Sequence, residues 1–397
     1  MRDAAEERPA WAWIDLDALR HNARRAIECA DGRVVIGVIK ADAYGHGAAE
    51  IARGLLAEGI TRLAVVSVRE GADLRRAGIV APVLLMGGLD DRESAERAQK
   101  WGLTPVLHDE RSVDLASTVG RNSAPLGIEI EVDTGMRRMG IPEAEAARLI
   151  HRITSAPQLS LNGIYTHLAR ADEPDHGPSR AQVSRLGEIL AAAGLRLGDP
   201  MVHIANSAGL LRRRVIEEEV SGISTQAVRP GLMLYGVSPF AEQTAEELDL
   251  RPVMSLAARV VAIRSVGRGE GVGYGGEWRA ERKTRVATLP LGYADGIPRA
   301  VFGRGEVYLG GARRSIVGRV SMDYIGVEIG DAPVELGSVA TIFGATPEGV
   351  RVPVERLARS AGTIGYEFLT GVGARVPRRV SAGPPPASDP RPVDPAV

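Results

Sequence analysis

At 397 residues the chain is long enough for two domains with ample cores. Its 49 Lys and Arg nearly balance 50 Asp and Glu, which removes the charge excess expected of a protein that binds nucleic acid or a membrane surface. Cys29 is the single cysteine, so an internal disulfide is excluded and a reducing, cytoplasmic setting fits.

The start, MRDAAEERPA, lacks the apolar core of a signal peptide, and no stretch is long enough to span a bilayer. Residues 11–16 read as a strand that precedes a helix. Short apolar runs then recur at 34–41, 62–68, 82–86, 104–108, 126–132, 161–168, 202–205 and 227–234. Between them, 68–76, 91–101, 144–154 and 180–193 carry apolar residues at helical spacing. About eight strand–helix units in about 250 residues is the pattern of a (β/α)8 barrel. A doubly wound sheet is the alternative. Lys40, Asp133, His167, Asn206 and Arg229, however, all fall at or near the C-terminal ends of their runs, which converge on one mouth only in a barrel.

From about residue 250 the rhythm changes. Runs at 255–266, 284–291, 306–309, 316–329 and 338–343 are β-like, with Gly-, Arg- and Asp-rich turns, and only 354–360 looks helical. The expected organisation is a barrel over 12–245 and a mostly β domain over 246–380, which the strand 11–16 can join. The closing SAGPPPASDPRPVDPAV, 381–397, reads as a disordered tail.

Lys40 closes the run Val34-Val35-Ile36-Gly37-Val38-Ile39. A lysine at the end of a buried strand is costly without a partner, and desolvation lowers its pKa toward that of an amine usable by a carbonyl cofactor. A lysine snorkelling from a barrel rim is the bland alternative. In 128–133, period-two alternation sends Glu129, Glu131 and Asp133 to one face and the isoleucines and Val132 to the other, toward the helices. The acids therefore point into the barrel, where unpaired charge is expensive.

The strings KADAYGHG from Lys40, EVDTGMRRMG from Glu131, THLARADE from Thr166, HIANSAG from His203 and RPGLMLYG from Arg229 resemble alanine racemases, pyridoxal-phosphate enzymes of the barrel class (fold type III). So do GVGYGGEW from Gly271, LGYADGIPR from Leu291, GRVSMD from Gly318, TIGYE from Thr363 and RVPR from Arg375. The similarity spans about residues 11–378.

The resemblance implies that Lys40 carries pyridoxal 5'-phosphate and serves as the D-side base, and that Tyr274 is the L-side base. A phenol with a pKa of about 10 needs its anion stabilised, a part the resemblance gives to His167. It further implies that Tyr274 reaches the site of a partner subunit, so that a homodimer with composite sites is expected. Arg229 would donate to the pyridine nitrogen, and an arginine that stays protonated leaves that nitrogen unprotonated. A surface salt bridge is the plain alternative for this residue.

By the same resemblance Tyr44, Asn206, Ser207, Tyr366 and the backbone at Gly231 and Leu232 would hold the cofactor. A helix N-cap is the bland reading of Ser207. Arg138 and the Met322 amide would meet the substrate carboxylate, with Asp323 orienting the Met322 loop. Tyr293, Arg299, Asp172 and Tyr366 would narrow the entrance toward a small substrate such as alanine, and no metal is required. Many members carry a carbamylated lysine where Glu131 stands. The expectation is that Glu131 supplies that negative charge directly to Arg138; the alternative is that it is too short, and that an anion or Arg137 completes the site. The implied activity is interconversion of L- and D-alanine for cell-wall precursors.

The nearest rivals are a racemase of serine or another small amino acid and a non-catalytic cofactor-binding protein. The β domain that bears Tyr274 argues against the second, whose members are single barrels. A decarboxylase of the same class is disfavoured because Arg229 stands where those enzymes have glutamate and no cysteine follows in the second domain.

Overall fold

The computed structural model describes residues 9–119, 125–195, 200–218, 220 and 223–386. Eight parallel strands close on themselves. In spatial order they are Val34–Val38, Arg62–Val65, Val83–Leu85, Leu103–Leu107, Leu126–Asp133, Leu159–Tyr165, Met201–His203 and Ala227–Val228, the last pairing back onto the first. Hydrophobic faces of the intervening helices bury Ile51, Leu55, Leu74, Leu149, Ile153, Val183 and Leu186 against this cylinder.

Local chemistry starts the helices where the strands end. Ser67 and Glu70 form a capping box on helix Val68–Arg76, and Asp91 with Ser94 does the same for Arg92–Lys100. Two expected elements differ. The run read as a strand over 227–234 pairs only at Ala227–Val228, because Pro230 has no N–H for a ladder; Leu232–Tyr235 then makes a 3-10 turn instead of an eighth helix. Helix Leu16–Ala30 fills the gap, packing on Ala48–Ala57 and on that turn.

The first strand, Ala10–Asp15, belongs to the second layer. It pairs antiparallel with Met254–Arg259 and parallel with Arg378–Ser381 at one end of a large sheet. From its far edge that sheet runs Ala262–Val266, Thr284–Leu289, Ile325–Glu328, Ala312–Val317, Glu306–Leu309, Val339–Ala345 and then Met254–Arg259. The runs expected at 255–266 and 316–329 are each two strands, the second broken by the Gly318–Asp323 loop. A second helix, Gly365–Gly371, follows Val354–Ala361 and has no counterpart in the sequence reading.

Residues 381–386 of the expected tail are part of the folded structure. Ser381 is in a strand, the Trp13 indole donates to the Gly383 carbonyl at 3.0 Å, and the Gly383 amide donates to Asp15 at 3.1 Å. Residues 387–397 of the tail and 1–8 of the start lie outside the described residues. Among the described residues no helix is long and apolar enough to cross a membrane.

Candidate active site

The C-terminal ends of the barrel strands open into a cavity of about 590 Å³, lined among others by Lys40, Tyr44, Arg138, His167, Asn206 and Arg229. That is the size and place expected of a small-ligand site. Asp172, Ser207, Gly231, Leu232 and Tyr366 also line it, Tyr366 arriving on helix Gly365–Gly371 from the second domain.

Lys40 follows the strand Val34–Val38 and is half-buried. Burial and the Arg138 charge lower the pKa of its amine, while Glu70 and Glu131 oppose them. A lysine held this way is closer to a free nucleophile than a rim lysine in water.

Arg229 is 2 % exposed, which rules out the surface salt bridge. Its Nη1 donates to His203 Nδ1 at 2.6 Å and to the His203 carbonyl at 3.0 Å. Nη2 donates to the Thr166 and Ile204 carbonyls at 2.9 and 3.2 Å. The guanidinium lies 4.2 Å from the centre of the Tyr165 ring. Nε, by contrast, is buried without a partner. A buried donor left open in the wall of a cavity is an invitation to an acceptor on a ligand.

The same cavity holds a corner built for close approach. A Cβ on Gly231 would stand 2.5 Å from the Tyr44 hydroxyl, so only glycine leaves the space free. Ser207 Oγ accepts the Gly231 and Met233 amides at 2.9 and 3.3 Å. The N-cap of helix Ser207–Leu211 is Asn206, whose side chain accepts the Gly209 amide; Ser207 is not the cap. Its hydroxyl is thereby left to tie two strand ends together. The rings of Tyr44 and Tyr366 are 6.0 Å apart. Burial pushes the Tyr44 hydroxyl well up, and burial together with Asp172 pushes that of Tyr366 up to about 12, so both are neutral donors. An open donor, hydroxyl donors, a glycine-lined corner and a deprotonation-prone lysine, gathered in one cavity, fit a flat heteroaromatic aldehyde bearing a phosphate.

His167 is half-buried, and desolvation with the Arg229 and Arg138 charges brings its pKa down to about 3; it is a neutral imidazole with an unpartnered Nδ1.

Glu131 departs from expectation. The strands set Glu131 opposite Tyr165 in register, and the Tyr165 hydroxyl donates to Glu131 Oε2 at 3.0 Å. His108 Nε2 stands 3.2 Å from the same oxygen. Arg138, past the turn that follows the strand, is an exposed rim residue. The expected Glu131–Arg138 ion pair is therefore absent: the carboxylate points down into the barrel, where neighbouring strands supply closer partners. Arg137 pairs with Asp133 at 3.4 Å. Burial raises the Glu131 pKa, but His108 beside it and the hydrogen bond from Tyr165 take it below the ordinary value. Below it, Glu129 Oε2 meets His203 Nε2 at 2.8 Å. This buried layer of Glu129, Tyr165 and His203 was not singled out from sequence; the inward alternation of 129 and 131 was its only signal.

The remaining expected residues do not line this cavity in the single chain. Tyr274 is 71 % exposed on a 3-10 turn, and Met322 and Tyr293 are exposed too. Tyr274 is therefore not beside the His167 of its own barrel. Arg299 is exposed on its own short turn. Asp323 pairs with Arg375 at 2.9 Å, and Arg375 also reaches the buried Asp295 at 2.9 Å. Asp295, which accepts the Gly292 amide, was missed because one aspartate in a glycine-rich turn carries no sequence signal of burial.

Family models describing the N-terminal and C-terminal domains of alanine racemase match residues 14–239 and 253–380. A curated relative from Stutzerimonas stutzeri, named alanine racemase, is 39 % identical over 94 % of this chain and 99 % of its own. The crystal structure of alanine racemase from Streptomyces lavendulae superposes with a TM-score of 0.88 at 34 % identity, covering 95 % of this chain and 98 % of that one. The Bartonella henselae alanine racemase, described with covalently bound pyridoxal phosphate, gives 0.82 at 29 % identity over 94 % and 99 %.

Proposed function

The chain belongs to the alanine racemase family of pyridoxal-phosphate-dependent racemases, and we propose that it interconverts L- and D-alanine with Lys40 and Tyr274 as the two opposed bases. The observation that carries this reading is the pairing, in one cavity, of a lysine whose amine is depressed by burial with the open Arg229 Nε donor. Bound pyridoxal phosphate supplies an aldehyde that captures amines and a ring that draws electrons from the substrate Cα.

The protein's own residues do the rest. Arg229 Nε would donate a hydrogen bond to the pyridine nitrogen and keep its own proton, so that the ring would withdraw only modest charge. Tyr44, Ser207, Tyr366 and the backbone at Gly231 and Leu232 would hold the phosphate, and Asn206 and neutral His167 would frame the ring. Arg138, on the rim, takes the substrate carboxylate. Lys40 Nζ then moves a proton at Cα on one face, and the Tyr274 phenol oxygen moves one on the other.

Tyr274 is too exposed to serve its own cavity, and the exposure of Tyr274, Met322 and Tyr293 supports a homodimer in which they close the partner's site. In that assembly Tyr293, Arg299 and Asp172 narrow the entrance, which favours a small side chain, and Asp323, tied to Arg375, steadies the Met322 loop. A cytosolic setting, supported by the single cysteine, and supply of D-alanine to cell-wall synthesis complete the reading.

The test is loss of optical rotation across a panel of L-amino acids with the holoenzyme and Lys40→Ala. Alanine should be turned over fastest and Lys40→Ala should be inert; a bulkier preferred substrate, or an active Lys40→Ala, overturns the reading.

A further inference from the structure

Lys40 is followed by four non-glycine residues in the left-handed region: Ala41, Asp42, Ala43 and Tyr44, with φ of 53, 52, 54 and 54°. L-residues adopt this region at a penalty, so a run of four persists only where its surroundings over-determine it. The turn is pinned on several sides. Asp42 Oδ1 accepts the Ala48 amide at 2.8 Å, and His46 Nδ1 lies 2.9 Å from both the Ala43 and the Tyr44 carbonyls. One contact comes from outside the turn altogether. Glu70 Oε1 accepts the Ala41 amide at 2.7 Å, while its Oε2 accepts the Val66 and Ser67 amides at 2.8 and 2.9 Å.

The Ala41 N–H belongs to the peptide that joins Lys40 to Ala41. Fixing that plane fixes the backbone at Lys40, and with it the direction from which the side chain enters the cavity. Glu70 stands on helix Val68–Arg76, which follows the strand beside that of Lys40. One carboxylate therefore clamps two neighbouring strand–helix units, one oxygen to each.

Resting on the reading that Lys40 carries the cofactor, we propose that Glu70 is the positioning residue for Lys40, holding the amine at the angle from which it reaches the cofactor aldehyde. The bond it serves forms between Lys40 Nζ and the aldehyde carbon, with loss of water and no change of oxidation state. The negative charge of Glu70 also faces the Lys40 ammonium from outside the cavity.

The experiment follows capture of pyridoxal phosphate by the apoprotein. Samples are quenched with borohydride over time, and the Lys40 adduct is measured by peptide mass. Glu70→Ala should slow its appearance by about tenfold or more, because small misplacements of reacting groups carry penalties of that order. Ser67→Ala is the control: it removes the other half of the capping box, the Ser67 Oγ bond to the Glu70 amide, but leaves the clamp on Ala41. It should form adduct at the wild-type rate. Equal slowing in both variants would assign the effect to the helix and overturn the proposal, as would a wild-type rate in Glu70→Ala. If Glu70→Ala does not fold, Glu70→Gln replaces it, since its one amide oxygen cannot serve both strand–helix units; slowing supports the clamp and an unchanged rate sinks it. Wild-type protein that forms no adduct at Lys40 would remove the underlying cofactor reading, a result separable from any effect of Glu70.

Discussion

His203 stands between two charged groups, with Nδ1 2.6 Å from Arg229 Nη1 and Nε2 2.8 Å from Glu129 Oε2. The arginine can only donate, so Nδ1 must be the bare nitrogen and Nε2 must carry the hydrogen. Burial lowers the His203 pKa, Glu129 opposes this and Arg229 adds to it, which keeps the ring neutral and able to accept. Gly163, directly across from Glu129 in register, leaves the room: a Cβ there would meet Glu129 Cδ at 2.8 Å.

His203→Ala should therefore destabilise the fold by about 3 kcal/mol, because it leaves both a buried cation and a buried acid without their shared partner. Urea unfolding of the two apoproteins measures this. A loss below about 1 kcal/mol would mean that water replaces the ring.

Acid should unfold the protein early. His167 and His46 are held down to about 3 and about 4, both chiefly by burial, against about 6.5 in an unfolded chain. Between pH 6.5 and 4 the unfolded state binds two protons that the folded state refuses. The folded state is penalised as pH falls, and stability drops by up to about 2.7 kcal/mol per pH unit for the pair. Glu131, depressed in the fold, adds a further loss only below the ordinary carboxyl range. Unfolding curves at pH 7, 6 and 5 give the slope, and His167→Gln should halve it. A flat profile would show that these rings reach water.

Gly231→Ala should weaken cofactor capture rather than folding alone. Its φ of −124° is open to any residue, so the penalty is space: the new Cβ stands 2.5 Å from the Tyr44 hydroxyl. Overpacking of about 1–3 kcal/mol predicts a rise of about fivefold to a hundredfold in the dissociation constant for pyridoxal phosphate. Titration of the apoprotein checks it, and wild-type affinity would show that the phosphate lies elsewhere.

Mixing inactive Lys40→Ala with inactive Tyr274→Phe under subunit exchange should restore activity. One site of the hybrid then holds both bases while the other holds neither. A dead mixture, with hybrid dimers demonstrated, would place both bases within a single chain.

Much of the architecture is legible in order along the chain. The eight apolar runs, the helix 68–76 at its observed bounds, and the change of rhythm after 250 all follow from periods of 2 and 3.6, which are local properties. Lys40, His167, Asn206 and Arg229 are legible as a group because parallel strands of a barrel end on one face. Their positions along the chain therefore already place them at one mouth.

Partner choice inside that mouth is another matter. Alternation points Glu131 inward, but which atom it meets depends on register with neighbouring strands, and that register sets Tyr165 and His108 closer than Arg138. Register likewise joins Glu129 to His203, and the packing of neighbouring strand–helix units joins Glu70 to Ala41, pairs separated by 74 and 29 residues. The chain by itself determined which groups stand at the ends of strands. Only the closed barrel, by bringing separate strand ends within hydrogen-bond reach, decided which of them share a proton, a charge or a carbonyl.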